Sequence, residues 1–163
     1  QYLRKMGGLI LVASLFVWFL SYFPRPVAGE PEIEHYENSY LGQLGRWCAP
    51  AVEPLGLNWK AGVAILSGVS AKEIVVSTLG VLYSQDATAD DASLAQTLRE
   101  SGDFTPASAL AFLVFVLLYF PCIATIVAVR NEAGRGWALA SMVYSTAVAW
   151  FVAWIVYHIA LLL

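Results

Sequence analysis

Charge is scarce in this sequence: Asp, Glu, Lys and Arg make up 13% of its 163 residues, and the net charge is −3. A soluble domain carries about 25% charged residues, so the shortage excludes an ordinary water-solvated surface. The small net charge also removes the basic field that a nucleic-acid partner needs. Cysteine is nearly absent. Cys48 and Cys122 lie far apart and form neither a CxxC metal motif nor a disulfide framework. No GxxxxGK[ST] motif is present, which excludes a P-loop phosphate site within this stretch, and no triad or zincin pattern points to an enzyme. The chain opens QYLRKMGG, with no initiator Met and no signal-peptide layout. Such an opening is expected of a piece from inside a longer membrane protein.

Apolar residues are what the sequence has instead: 59% of the chain, with a mean hydropathy of +0.65. A spanning helix needs about 20 mostly apolar residues, and four segments qualify: 7–23, 60–83, 106–129 and 136–163. The expected fold is therefore all-α, a polytopic membrane helix bundle. Residues 24–38 and 84–105 read as polar loops, the second holding a short helix at DASLAQTLRESG with Asp91 as cap and Gly102 as stop. Over 39–53, Leu41, Leu44, Trp47, Cys48, Ala51 and Val52 make one apolar stripe, interrupted by Pro50 and Pro54. That stripe fits a short interfacial helix, or equally a loop helix packed on the protein itself.

The segment AGVAILSGVSAKEIVVSTLGVLY, 61–83, carries two adjacent charges, Lys72 and Glu73, at its centre. A central charged residue costs about 2.5–3.5 kcal/mol on insertion, so such groups face a bundle interior or an aqueous path. Two readings stand: a straight helix with a charged interior patch, or a re-entrant hairpin turning at SGVSAKE. Basic residues cluster at Arg4 and Lys5 and again at Arg130 and Arg135. Four crossings place these clusters on opposite faces. One returning segment lets both be cytoplasmic, as the positive-inside rule prefers.

The third segment is interrupted as well, by Pro121 in LLYFPCIATIVA. Proline removes a donor and frees a carbonyl about one turn earlier, near Leu117. Interrupted helices are the sequence pointer to a transport site. The candidate ligands of a transient cation are Cys122, Thr125, Ser70 and Glu73. A thiol suits a borderline metal such as ferrous iron better than magnesium or calcium. Lys72 opposes a cation unless it is paired, so with Pro121 it is assigned to gating or charge pairing. The plainer reading makes Cys122 a small packed hydrophobe, and Ser77, Thr78, Ser141, Ser145 and Thr146 helix-packing residues. His35 and His158 read as incidental.

With those residues in view, GLNWKAGVAILSGVSAKEIVVSTLGVLYS and FTPASALAFLVFVLLYFPCIATIVAVRNEAGRGWALASMVYSTAVAWFVAWIVYHI resemble the C-terminal membrane part of the FeoB family of bacterial ferrous iron transporters. NSYLGQLG and EPLGLNWK are similar to the same region. The resemblance implies a second gate region, preceded in the parent by a GTP-binding domain and a first gate. It implies Fe2+ as transported substrate and GTP with Mg2+ only through the N-terminal domain. It further implies a small FeoA-type partner, a homo-oligomer and a multi-pass location in the bacterial inner membrane. The family motifs map onto Ser70, Ala71, Lys72 and Glu73 and onto Pro121, Cys122, Ala124 and Thr125, and Cys122 inherits a place on the iron path. Two alternatives remain: a nucleoside-type solute carrier built on the same gate module, or a non-transporting membrane interaction protein. The interrupted segments lack Asn and Gln, which favours the ion over a nucleoside.

Overall fold

Three of the helices begin at side-chain caps, Ser39, Asn58 and Thr105. The computed structural model describes residues 2–25, 38–69, 71–83, 91–119 and 122–162. α1 covers Tyr2–Tyr22, opening five residues before the expected 7–23. α2, Tyr40–Val52, starts at Ser39, whose hydroxyl accepts from the Gly42 N–H at 3.0 Å. A 3-10 turn at Glu53–Leu55 follows. α3, Trp59–Ser67, is capped by Asn58, which accepts from the Ala61 N–H at 3.0 Å. α4 is Ile74–Tyr83 and α5 is Asp91–Glu100. α6, Pro106–Leu118, carries a reciprocal capping box between Thr105 and Ser108 with Pro106 at the first position. α7 is Ile123–Ala133 and α8 is Arg135–Leu162. No strand occurs among the described residues, so the fold is an all-α bundle.

The 60–83 segment is not one straight helix. Asn58 Nδ2 donates to the Tyr83 hydroxyl at 2.9 Å, and the Ser67 and Thr78 hydroxyls lie 2.8 Å apart. On a continuous helix those pairs would be about 37 and 16 Å apart. α3 and α4 therefore form an antiparallel hairpin, with its base at Asn58 and Tyr83 and its tip at the break between Ser67 and Ile74. Gly68 and the two charges supply the reason: a flexible residue and a desolvation cost both oppose helix propagation there. The third segment is also two helices, α6 and α7, and both pack along α8. Two helical stretches, Pro106–Ala133 and Arg135–Leu162, are long and apolar enough to cross a membrane by length and composition.

Sequence and structure differ in smaller ways too. Asp91 is the first helical residue of α5 rather than its cap, while Gly102, at φ +69°, ends the region as expected. α2 has the expected extent, but its stripe divides. Leu41 and Val52 are buried together with Gly42 and Gly45 against α3, whereas Leu44 and Trp47 face outward. The helix is both packed on the protein and apolar on its free face. Most of 24–38, the start of 84–105, and Ser70, Pro121, His35 and Leu163 lie outside the described residues.

The core collects Leu41, Val52, Leu55, Val63, Val75, Leu79, Leu82, Phe112, Phe115 and Ala153 from α2, the 3-10 turn, α3, α4, α6 and α8. α8 is tied to the α2 end by Trp150 Nε1, which donates to the Ala51 carbonyl at 2.7 Å. α2 crosses α3 closely. A side chain at Gly45 would meet Val63 and the Trp59 carbonyl, and one at Gly62 would meet the Gly45 carbonyl. Gly45→Ala should therefore cost about 1–3 kcal/mol through overpacking, lowering the melting temperature of the detergent-solubilised protein by about 2–4 °C per kcal/mol. Gly7→Ala, with open space around it, should leave that temperature unchanged or raise it slightly. Equal melting for both variants would dismiss the close crossing.

Candidate cation site at two helix breaks

Two helices stop short in this bundle, and they stop beside each other. α6 ends at Leu118, with Tyr119 capping it in extended conformation. Its last carbonyls lack intrahelical donors, a cost of several kcal/mol each where water is excluded. Lys72, at the tip of the α3–α4 hairpin, reaches them. Its ammonium donates to the carbonyls of Val116 at 3.2 Å, Leu117 at 3.2 Å and Tyr119 at 3.4 Å. It also lies 4.9 Å from the centre of the Tyr119 ring, within cation–π range. The negative end of the α6 dipole adds to this attraction.

The second link between the breaks is a backbone hydrogen bond. The Ile123 N–H, first in α7, donates to the Val69 carbonyl of the hairpin tip at 3.3 Å. Gly68 makes the approach possible, because a side chain there would run into Val75 and the Tyr119 hydroxyl. Cys122 sits between these contacts as the cap of α7, its carbonyl accepting from Thr125 N at 2.9 Å and Ile126 N at 3.2 Å. Its thiol is free of any disulfide and lies 3.6 Å from the Thr125 hydroxyl.

Of the residues singled out from sequence, Cys122 and Thr125 are brought together and Lys72 is placed at the same junction. Glu73 is exposed. Ser70 and Pro121 lie outside the described residues. The carbonyl freed near Leu117 accepts from Lys72. Among the described residues no group of three or more His, Cys, Asp or Glu side chains could enclose a metal. Any cation here meets a thiol, a hydroxyl and carbonyl oxygens, the donor set of a transient site. Ser145 and Thr146 bond to carbonyls of their own helix, and His158 to Trp154, in keeping with packing roles.

Sequence reasoning missed the hairpin base. There the Tyr83 hydroxyl accepts from Asn58 and donates to Asp103 Oδ2 at 3.0 Å. Lys60 lies 3.7 Å from the same carboxylate and 4.5 Å from the Tyr83 ring centre. The signal was Asn58 immediately before an apolar run, a helix start. This cluster fastens α3, α4 and the start of α6 at one level, opposite the tip.

Comparison with known proteins fits this architecture. The family model described as "Gate: Nucleoside recognition" matches residues 3–136. The chain belongs to the gate family. The gate domain is 41% identical to a protein of Porphyromonas gingivalis named as a fusion of Fe(2+) transport protein A with Fe(2+) transporter FeoB; the match covers 99% of this chain and 24% of that protein. It is 37% identical to the Fe(2+) transporter FeoB of Campylobacter jejuni, covering 100% of this chain and 27% of the relative. It is 36% identical to that of Methanocaldococcus jannaschii, covering 96% and 23%. The gate domain thus spans about a quarter of the length of these relatives. No solved structure matches.

Tyr83→Phe removes one hydroxyl that serves two partners of the gate domain. It should cost about 1–3 kcal/mol of unfolding free energy, because Asn58 and Asp103 each lose a bond. Asn58→Ala combined with Tyr83→Phe should cost less than the two single changes summed. Strict additivity in thermal or denaturant unfolding would show that the base is not a coupled unit.

Proposed function

We propose that this chain is the second, C-terminal gate region of a FeoB-type ferrous iron transporter, and that iron passes the junction of the two helix breaks. The observation that carries this reading is the meeting of the α3–α4 tip with the α6–α7 break beside Cys122. Paired interruptions are how membrane proteins expose backbone oxygens to an ion. The relatives' names supply the cargo, Fe2+, and a thiol among oxygen donors suits that borderline metal. In this reading Cys122 and Thr125 contact the passing ion, Glu73 and Ser70 complete the path, and Lys72 and Pro121 serve gating.

The same reading sets the topology. α1 crosses, the α3–α4 hairpin enters and returns, and α6–α7 and α8 cross. Arg4, Lys5, Arg130 and Arg135 then share the cytoplasmic face of a bacterial inner membrane, satisfying the positive-inside rule. α3 and α4, at nine and ten residues, each reach about half of a 30 Å hydrocarbon core. Energy would come from GTP and Mg2+ at an N-terminal domain elsewhere in the full chain, which also supplies the first gate. Homo-oligomers and a FeoA-type partner fit the same picture, and the fused relative supports the latter. The family description favours a nucleoside as second reading, but neither break offers Asn or Gln to recognise a base.

Two measurements test this proposal in the full-length protein. Cys122→Ser should lower ferrous uptake at least about tenfold, the scale of loss when a metal's surroundings are disturbed, while membrane accumulation stays normal. Wild-type uptake would return Cys122 to packing, and nucleoside uptake that survives instead would favour the second reading. Single cysteines at Glu53 and Glu100, in a background without native cysteines, should both react with an impermeant maleimide in intact cells, and one at Glu132 should not. Opposite accessibility of Glu53 and Glu100 would rule out the re-entrant hairpin.

A further inference from the structure

The carbonyls of Val116, Leu117 and Tyr119 converge on one point, and that point holds a cation belonging to the chain itself. Three carbonyl oxygens at the negative end of a helix, beside an aromatic face, are a cation site by chemistry. They accept from an ammonium at 3.2–3.4 Å, whereas a small divalent metal would draw the same oxygens to about 2.0–2.6 Å. The two occupants exclude one another by distance and by charge.

We propose that these three carbonyls form a second cation-binding site on the path, for a partly dehydrated divalent cation, and that Lys72 is its tethered competitor. The inference rests on the transport reading above and adds what closes the path. With Lys72 in place the site is filled and the junction is shut. A cation takes the carbonyls only when the hairpin tip withdraws, which also breaks the backbone hydrogen bond from Ile123 N–H to the Val69 carbonyl and uncovers Cys122. Cargo and gate thus compete for the same oxygens. A merely structural lysine would stabilise the end of α6 without competing with anything.

The test uses the full-length protein in liposomes loaded with an iron-quenched dye, with Fe2+ added under reducing conditions, with and without GTP. Lys72→Met removes the competitor, and Fe2+ influx without nucleotide should rise at least about tenfold over wild type, the effect of losing one charge-assisted hydrogen bond from the closed state. Lys72→Arg keeps the cation and should stay closed. Should Lys72→Met fail to accumulate, Lys72→Gln decides, because its amide still donates to the carbonyls without a charge; elevated nucleotide-free influx supports the proposal. Nucleotide-free influx at wild-type level in the Met or Gln variant, with GTP-driven influx intact, overturns the competitor and leaves iron transport standing. No Fe2+ influx in wild type or any variant, with the protein folded, overturns both.

Discussion

A helix that ends where water is scarce must have its last carbonyls satisfied by other donors. α6 stops at Leu118, and the rest of the arrangement follows from how that end is met. Lys72 reaches it from another part of the chain, which fixes the depth of the hairpin tip. That depth fixes how long α3 and α4 can be, and the base must then return to the level where α6 begins. The desolvation penalty of the ammonium and that of the carbonyls offset each other only in this docked geometry. Neither half-structure is favourable alone.

The surrounding elements hold this junction without entering it. α8 runs the full depth of the bundle and gives α6 and α7 a common surface, so that a broken helix still behaves as one member. α2 holds the hairpin from the side through a glycine crossing, and Trp150 ties α8 to the same end. The apolar residues left outside, among them Phe16, Trp47, Leu113 and Phe151, face outward on α1, α2, α6 and α8. They suit a lipid environment better than water.

Much of this was legible in the sequence. The apolar runs gave the helices, because segment length and cap residues such as Ser39, Asn58 and Thr105 are local properties. Lys72 and Glu73 marked the first break and Pro121 the second, since a buried charge and a missing donor are visible in one dimension. The hairpin could not be separated from a straight helix, because the bonds that decide it join residues 11 and 25 apart. The same limit left the partner of Lys72 open between an acid and carbonyls freed at a helix break, and the structure supplies carbonyls from a segment more than forty residues on. Tyr83 and Asp103 gave no signal, being ordinary residues at the ends of two segments. Their importance is a product of topology.

The unequal fastening of the α3–α4 hairpin has a mechanical consequence. Its base is joined by side-chain bonds among Asn58, Tyr83, Asp103 and Lys60, and its middle by Ser67 and Thr78. Among the described residues, the tip is held by the Ile123–Val69 backbone hydrogen bond and by the Lys72 ammonium. The hairpin is therefore a cantilever, anchored by side chains at the polar end and docked at the other through backbone carbonyls. A small rotation at the anchor becomes its largest displacement at Lys72, so a force applied near Asp103 would be read out in the middle of the bundle with no helix needing to unfold.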